Sequence, residues 1–310
     1  MKPAISVILL TTLIGAGQGL FLALFATQLA LPPETPLLQT LLLQGTALSL
    51  LFCGLGLLAS FFHLGHPERA WRAATMWRTS WLSREVIVLP LFMLALFVYG
   101  VSNYLGEAHN VLLGWFAVLL CLALFVCTAM VYASIRFLQE WASPLTFVNY
   151  LLLGCASGFS LATLLATFSM PELARPYAIS AVLLTLAGFL SRIASLLRNA
   201  RLVPKSTLQS AIGIKHPRIV QKAQGFMGGS FNTREFFHGK SMQWVRGVKW
   251  FFLLFAFALP LLCLALGLGT GATTPMLLAF GLQYIGLLAE RWFFFAQARH
   301  PQNLYYQAMA

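Results

Sequence analysis

The chain has 310 residues, is 59% hydrophobic and 9% charged, and has a mean hydropathy of +0.79. A soluble domain of this length carries about 25% charged residues, so the composition excludes a soluble globular enzyme and points to a polytopic membrane protein. The net charge of +12, with no Asp, falls in the connections between apolar runs, which fits membrane orientation and argues against nucleic acid as a partner.

Eight apolar runs are long enough to span a bilayer, at 5–30, 38–62, 85–105, 111–136, 145–168, 176–198, 248–269 and 274–295. A spanning segment must satisfy its own backbone polar groups, so helices are the expected form, and the alternation of a membrane β-barrel is absent. The predicted fold is all-α, a bundle of eight transmembrane helices in one membrane domain over 1–310. The first run is read as a retained helix, because no cleavage motif follows it. Pro32, Pro33 and Pro36 separate the first two runs, and Asn103, Gly106 and Asn110 the third and fourth. Gly15–Gly19 and Gly154–Gly158 have the small-xxx-small spacing that lets helices approach closely.

Eight spans place both termini and the even-numbered connections on one side. Of the 20 Lys and Arg residues, all but Arg175 fall on that side, with Arg192 counted in the long connection that follows the sixth span. Positively charged loops stay in the cytoplasm, so both termini are predicted to be cytoplasmic. The connection at 199–247 is basic and carries Phe226, Phe231, Phe236, Phe237 and Trp244. It is too short for a core of its own. It reads as a docking surface or as a loop lying on anionic lipid. Gly225-Phe-Met-Gly-Gly229 lacks a preceding strand and reads as turn chemistry.

The run from Phe61 to Glu85, FFHLGHPERAWRAATMWRTSWLSRE, is the short connection richest in ionisable and aromatic side chains. His63 closes the second span and Glu85 opens the third, so a tight return would bring both to one membrane surface. A His and a carboxylate there suit proton exchange with a quinone, with Arg84 beside Glu85 and Trp71, Trp77 and Trp81 walling a slot. Each also has a structural reading. Helix ends favour His63 and Glu85 electrostatically, Ser83 reads as an N-cap, and Trp and Arg are common interfacial anchors.

Haem is not expected, because no two histidines face each other within the bilayer. His63 and His66 lack further ligands for a metal. The five cysteines, Cys53, Cys121, Cys127, Cys155 and Cys263, sit singly in apolar runs, so no iron–sulfur or zinc site is expected. No span carries a charge near its middle, which argues against a pump or an ion-coupled transporter. Near the C-terminus, Glu290 and Arg291 precede an aromatic run, Trp292–Phe295, that reads as an interfacial belt.

The motifs FHLGHPERAWRA, SWLSRE and ERWFFFAQARHPQNLYY resemble the DmsC-like family, the membrane anchor subunits of the dimethyl sulfoxide reductase type. The resemblance covers nearly the whole chain. The run STLQSAIGIKHPRIVQKAQGFMGGSFNTREFFHG is similar to the branch found with cytoplasmic sulfite dehydrogenases. The resemblance implies an anchor with no substrate chemistry of its own and no haem or iron–sulfur cluster, in the bacterial inner membrane. It implies cytoplasmic partners, an iron–sulfur subunit and a molybdopterin catalytic subunit, with electrons exchanged with ubiquinone or menaquinone. By motif, the family's quinone-binding His and Glu fall on His63 and Glu85, with His66 and Arg84 as supporting candidates. A transporter or exporter of small sulfur compounds and a purely structural anchor remain as alternatives.

Overall fold

The computed structural model describes residues 4–62, 64–106, 111–205, 207–220 and 242–298. The described residues form helices and connecting turns. The long helices are α1 (Ile5–Ala30), α2 (Leu38–Phe61), α3 (Trp81–Tyr104), α4 (Val111–Ala133), α5 (Pro144–Ser169) and α6 (Ala174–Ala200). Then comes α7, which runs through Met242–Leu253, a π-helical turn at Leu254–Ala258 and Leu259–Thr270, and finally α8 (Thr273–Ala296). Seven of the described helices, α1 to α7, are long and apolar enough to cross a membrane. The eighth expected span, α8, is a 24-residue helix packed against α1, α5 and α7, but it is not among those seven.

Helix α1 is the central element. Its sides pack on α2, α4, α5 and α8, and most of its residues are buried although it has no polar face. Its contact with α5 depends on glycine. A Cβ on Gly158 would lie 2.1 Å from the Gly19 carbonyl carbon, and one on Gly19 would lie 2.3 Å from the Gly154 oxygen. The two small-xxx-small runs therefore face each other with their backbones touching. In a bilayer, where apolar side chains gain little by leaving lipid, such close backbone packing is what holds helices together.

The π turn in α7 precedes Pro260, which has no backbone N–H to donate. Gly286 of α8 faces this turn, where a Cβ would lie 2.1 Å from the Ala256 nitrogen. The connection from α2 to α3 contains a 3₁₀ helix, Pro67–Ala74, lying against α3. After α6 the chain makes a five-residue helix, Leu208–Ile212, begun by a Thr207–Ser210 capping box. The expected Phe226–Phe237 aromatics and the Gly225–Gly229 turn lie outside the described residues.

Two expectations change. Arg192, counted with the long loop, lies within α6 and is 2% exposed. The aromatic run at the end of α8 is no interfacial belt in its inner part. Phe294 and Phe295 pack inside the bundle with Tyr132, Trp141 and Tyr150, and the Trp141 indole donates to the Phe294 carbonyl oxygen at 2.9 Å. Aromatic rings packed edge to face gain more from one another than from lipid.

Candidate functional site

Helix α3 starts four residues earlier than the apolar pattern places it. Ser80, not Ser83, is the N-cap, and its hydroxyl accepts from the Ser83 backbone N–H at 3.3 Å. Glu85 therefore lies one turn inside the helix and is buried, at 8% exposure. Its Oε1 accepts from the Thr128 hydroxyl of α4 at 2.6 Å. A carboxyl held this way at a membrane-facing helix end is costly unless it is used or paired.

The other expected site residues are placed differently. His63 lies outside the described residues. His66 is exposed, with its Nδ1 3.0 Å from Glu68 Oε1. Arg84 does not reach the Glu85 carboxylate. Its guanidinium lies over the Trp81 ring at 4.2 Å and donates to the carbonyl oxygens of Trp77 and Arg78 at 2.9 and 2.8 Å. It ties the connecting loop to the start of α3. Trp71 and Trp77 are exposed, and each carries the guanidinium of the next residue over its ring, Arg72 at 5.6 Å and Arg78 at 5.4 Å. They form a cation–aromatic surface outside the bundle rather than a wall around Glu85.

Inside the bundle, sequence reasoning missed Thr128 as the partner of Glu85 and a second buried charged cluster. Among the described residues the buried charged side chains are Glu85, Arg192, Glu290 and Arg291. They come from the start of α3 and the last third of α6 and α8, so all lie toward one end of the bundle. Arg192 Nε is 2.8 Å from Glu290 Oε1, and Arg291 Nη2 is 3.7 Å from Glu290 Oε2. One carboxylate thus serves two guanidiniums. The Arg291 guanidinium also lies 3.7 Å from the ring centre of Tyr150. The available signal was a charge inside an apolar window, at Arg192 and again at Glu290–Arg291. Their pairing joins helices far apart in the sequence.

Two cavities adjoin this end. The first has Glu85, Thr128, Tyr150 and Arg291 in its walls, with Gln18 and Thr12 of α1. It encloses about 20 Å³ of water-accessible space, room for one or two waters. The second is an open apolar groove of about 660 Å³ between α1, α7 and α8, lined by residues such as Ile8, Leu9, Phe251 and Trp292. The larger cavity is thus not the one that holds the acid. It suits an acyl or isoprenoid chain, whereas the small cavity has the groups that can exchange a proton.

A multi-pass helical membrane protein with a buried acid, Glu85, and a separate buried Arg192–Glu290–Arg291 cluster toward the same end is the class that the fold and site define. The family model "DMSO reductase anchor subunit (DmsC)" matches residues 1–216. The chain is also 52% identical, over an alignment of 328 residues covering 100% of both chains, to a sulfite dehydrogenase subunit of Allochromatium vinosum. The chain belongs to the DMSO reductase anchor subunit family and is a membrane anchor subunit of a larger complex.

Proposed function

We propose that this protein anchors a molybdopterin oxidoreductase at the bacterial inner membrane and passes electrons between its iron–sulfur partner subunit and the quinone pool. The observation that carries this reading is Glu85, a buried acid fixed by Thr128 one turn inside α3. The 52% identity to a sulfite dehydrogenase subunit over the full length of both chains favours sulfite oxidation over sulfoxide reduction; quinone as the electron acceptor is part of the proposal. The distribution of Lys and Arg supports cytoplasmic termini, with the site and the partner subunits on the cytoplasmic side.

A quinone takes up two electrons and two protons and needs polar groups at its ring oxygens. The small cavity behind Glu85, at about 20 Å³, has room for water and not for such a ring. The ring is therefore met from the outer side of Glu85, where α3 and its loop begin. On this reading the Glu85 carboxyl delivers or accepts a proton, and the Thr128 hydroxyl fixes its Oε1. His63 is the second proton-exchanging group. Arg84 holds the loop through the Trp77 and Arg78 carbonyl oxygens, and His66, held by Glu68, lies toward solvent.

The test is E85Q in the assembled complex in native membranes, with the amount of complex normalised by immunoblot. Quinone-linked sulfite oxidation is expected to fall about a hundredfold, the usual loss when an acid–base group is removed. Turnover at the wild-type rate contradicts the assignment.

A further inference from the structure

The connection between α2 and α3 carries a surface that neither the bundle nor the site around Glu85 uses. No residue of its 3₁₀ helix, Pro67–Ala74, is buried. Phe62, Trp71, Met76 and Trp77 are each more than half exposed. Charge stands beside these apolar groups. Residues 62–80 hold Arg69, Arg72 and Arg78 against the single acid Glu68. Glu68 is shared by Arg69, at 3.8 Å, and His66, at 3.0 Å. Among the described residues, Arg72 and Arg78 have no carboxylate partner. Each lies over the ring of the Trp before it. The N–H donors of a guanidinium lie in its own plane, so a ring on its face leaves them free for a further acceptor.

Helix α3 sets where this surface lies. Pro90, Leu94, Phe97 and Val101 recur at helical spacing and are all exposed, so this stripe of an apolar span faces lipid. Ser83 stands two helical turns before Pro90 and falls on the same stripe, yet it is 3% exposed. Its cover is the connection, because Ser80 accepts its backbone N–H and Pro67–Ala74 packs on α3. The connection therefore lies along the lipid-facing side of α3. A soluble subunit would sit instead across the end of the bundle.

We propose that this connection is a binding site for anionic phospholipid. The guanidiniums of Arg72 and Arg78 donate to the headgroup phosphate, which a planar fork of N–H donors fits. Trp71, Met76 and Trp77 settle at the boundary between headgroups and acyl chains, where an indole keeps its ring in apolar surroundings and its N–H in polar ones. Arg84 donates to the carbonyl oxygens of Trp77 and Arg78, so the second Trp–Arg unit is held in place before lipid arrives. An acidic protein face would match the arginines, but it would not reach the lipid side of α3. The assignment does not rest on quinone contact at Glu85.

The test uses the intact complex in nanodiscs made of equal parts phosphatidylglycerol and phosphatidylcholine. Trp71 is replaced by photoreactive benzoylphenylalanine, and the adducts formed on illumination are identified by mass spectrometry. Lipid adducts are expected, enriched about fivefold in phosphatidylglycerol, the effect of one arginine close to an anionic surface. R72Q/R78Q changes two exposed side chains and is expected to lower the enrichment below about twofold while the lipid adducts persist. A probe at the exposed, uncharged Met76 repeats the comparison if Trp71 does not tolerate replacement. Equal adducts with the two lipids, or an enrichment that R72Q/R78Q leaves unchanged, overturns the site. Adducts on a partner subunit in place of lipid also overturn it and assign the surface to protein docking.

Discussion

The two ends of the bundle bury polar groups of different kinds. Where α1 and α3 finish and α2 and α6 begin, the groups are neutral and joined to one another. The Tyr99 hydroxyl donates to Gln28 Oε1 at 2.5 Å, Gln39 donates to the Asn103 carbonyl oxygen at 2.7 Å, and the Thr27 and Tyr177 hydroxyls lie 2.5 Å apart. At the other end, where α3 starts and α6 and α8 finish, neutral bonds such as Asn149 to Ser195 are joined by two buried acids and two buried arginines. Most of the buried polar atoms without a hydrogen-bond partner, among the described residues, also lie there. Neutral hydrogen bonds between helices serve packing, whereas buried charge with unsatisfied atoms marks a place built to exchange something. The contrast supports placing the proposed site at the charged end.

Changes that break the scaffold shared by both ends have the largest effect. G158L drives a side chain into the Gly19 backbone, since a Cβ alone would lie 2.1 Å from the Gly19 carbonyl carbon. The expected result is no monodisperse protein on size-exclusion chromatography in detergent. Next is the charged end itself. E290Q leaves Arg192 and Arg291 without their shared carboxylate and is expected to cost about 3–5 kcal/mol, read by denaturation in mixed micelles. The double change R192M/E290M removes both partners of the 2.8 Å pair and is expected to recover only part of that loss, because Arg291 still lacks the carboxylate. A double variant no more stable than E290Q alone would show that the pair is not what is being measured.

These helices were legible in the sequence for a simple reason. A bilayer demands about twenty apolar residues per crossing, and the turns at Pro32–Pro36 and Gly267–Pro275 punctuate the runs, so expected and observed ends differ by a few residues at most helices. The Gly15–Gly19 and Gly154–Gly158 spacing was legible too, although not that the two runs face each other. The start of α3 was misplaced because Ser80 and Ser83 are both credible caps, and only the backbone shows which one accepts the bond. That shift of one turn moves Glu85 from the mouth of the helix to its buried face. Arg192 escaped notice because the positive-inside count absorbs any arginine near a span end. Its partner Glu290 is almost a hundred residues away, and nothing local announces that pairing.

Smaller effects sharpen the contrast. T128V removes the hydroxyl that donates to Glu85 at 2.6 Å while keeping the side-chain shape. Quinone-linked turnover is expected to fall about tenfold, with a loss of about 1–3 kcal/mol of stability, the cost of leaving a buried acceptor without its donor. At the neutral end, Y99F removes the bond to Gln28. It is expected to cost about 1 kcal/mol of stability and to leave quinone-linked turnover unchanged. A tenfold loss of turnover in Y99F would erase the distinction between the ends.

The central claim, that quinone is met beside Glu85 at the charged end, is tested most directly by photolabelling. A membrane-permeant azido-quinone is applied to the intact complex, and the labelled peptides are mapped by mass spectrometry. The label is expected on the segment from Phe61 to Glu85 and is expected to be lost in E85Q. Label that persists in E85Q and maps to the Gln28–Tyr99–Asn103 end, or to the apolar groove beside Phe251 and Trp292, would contradict the account.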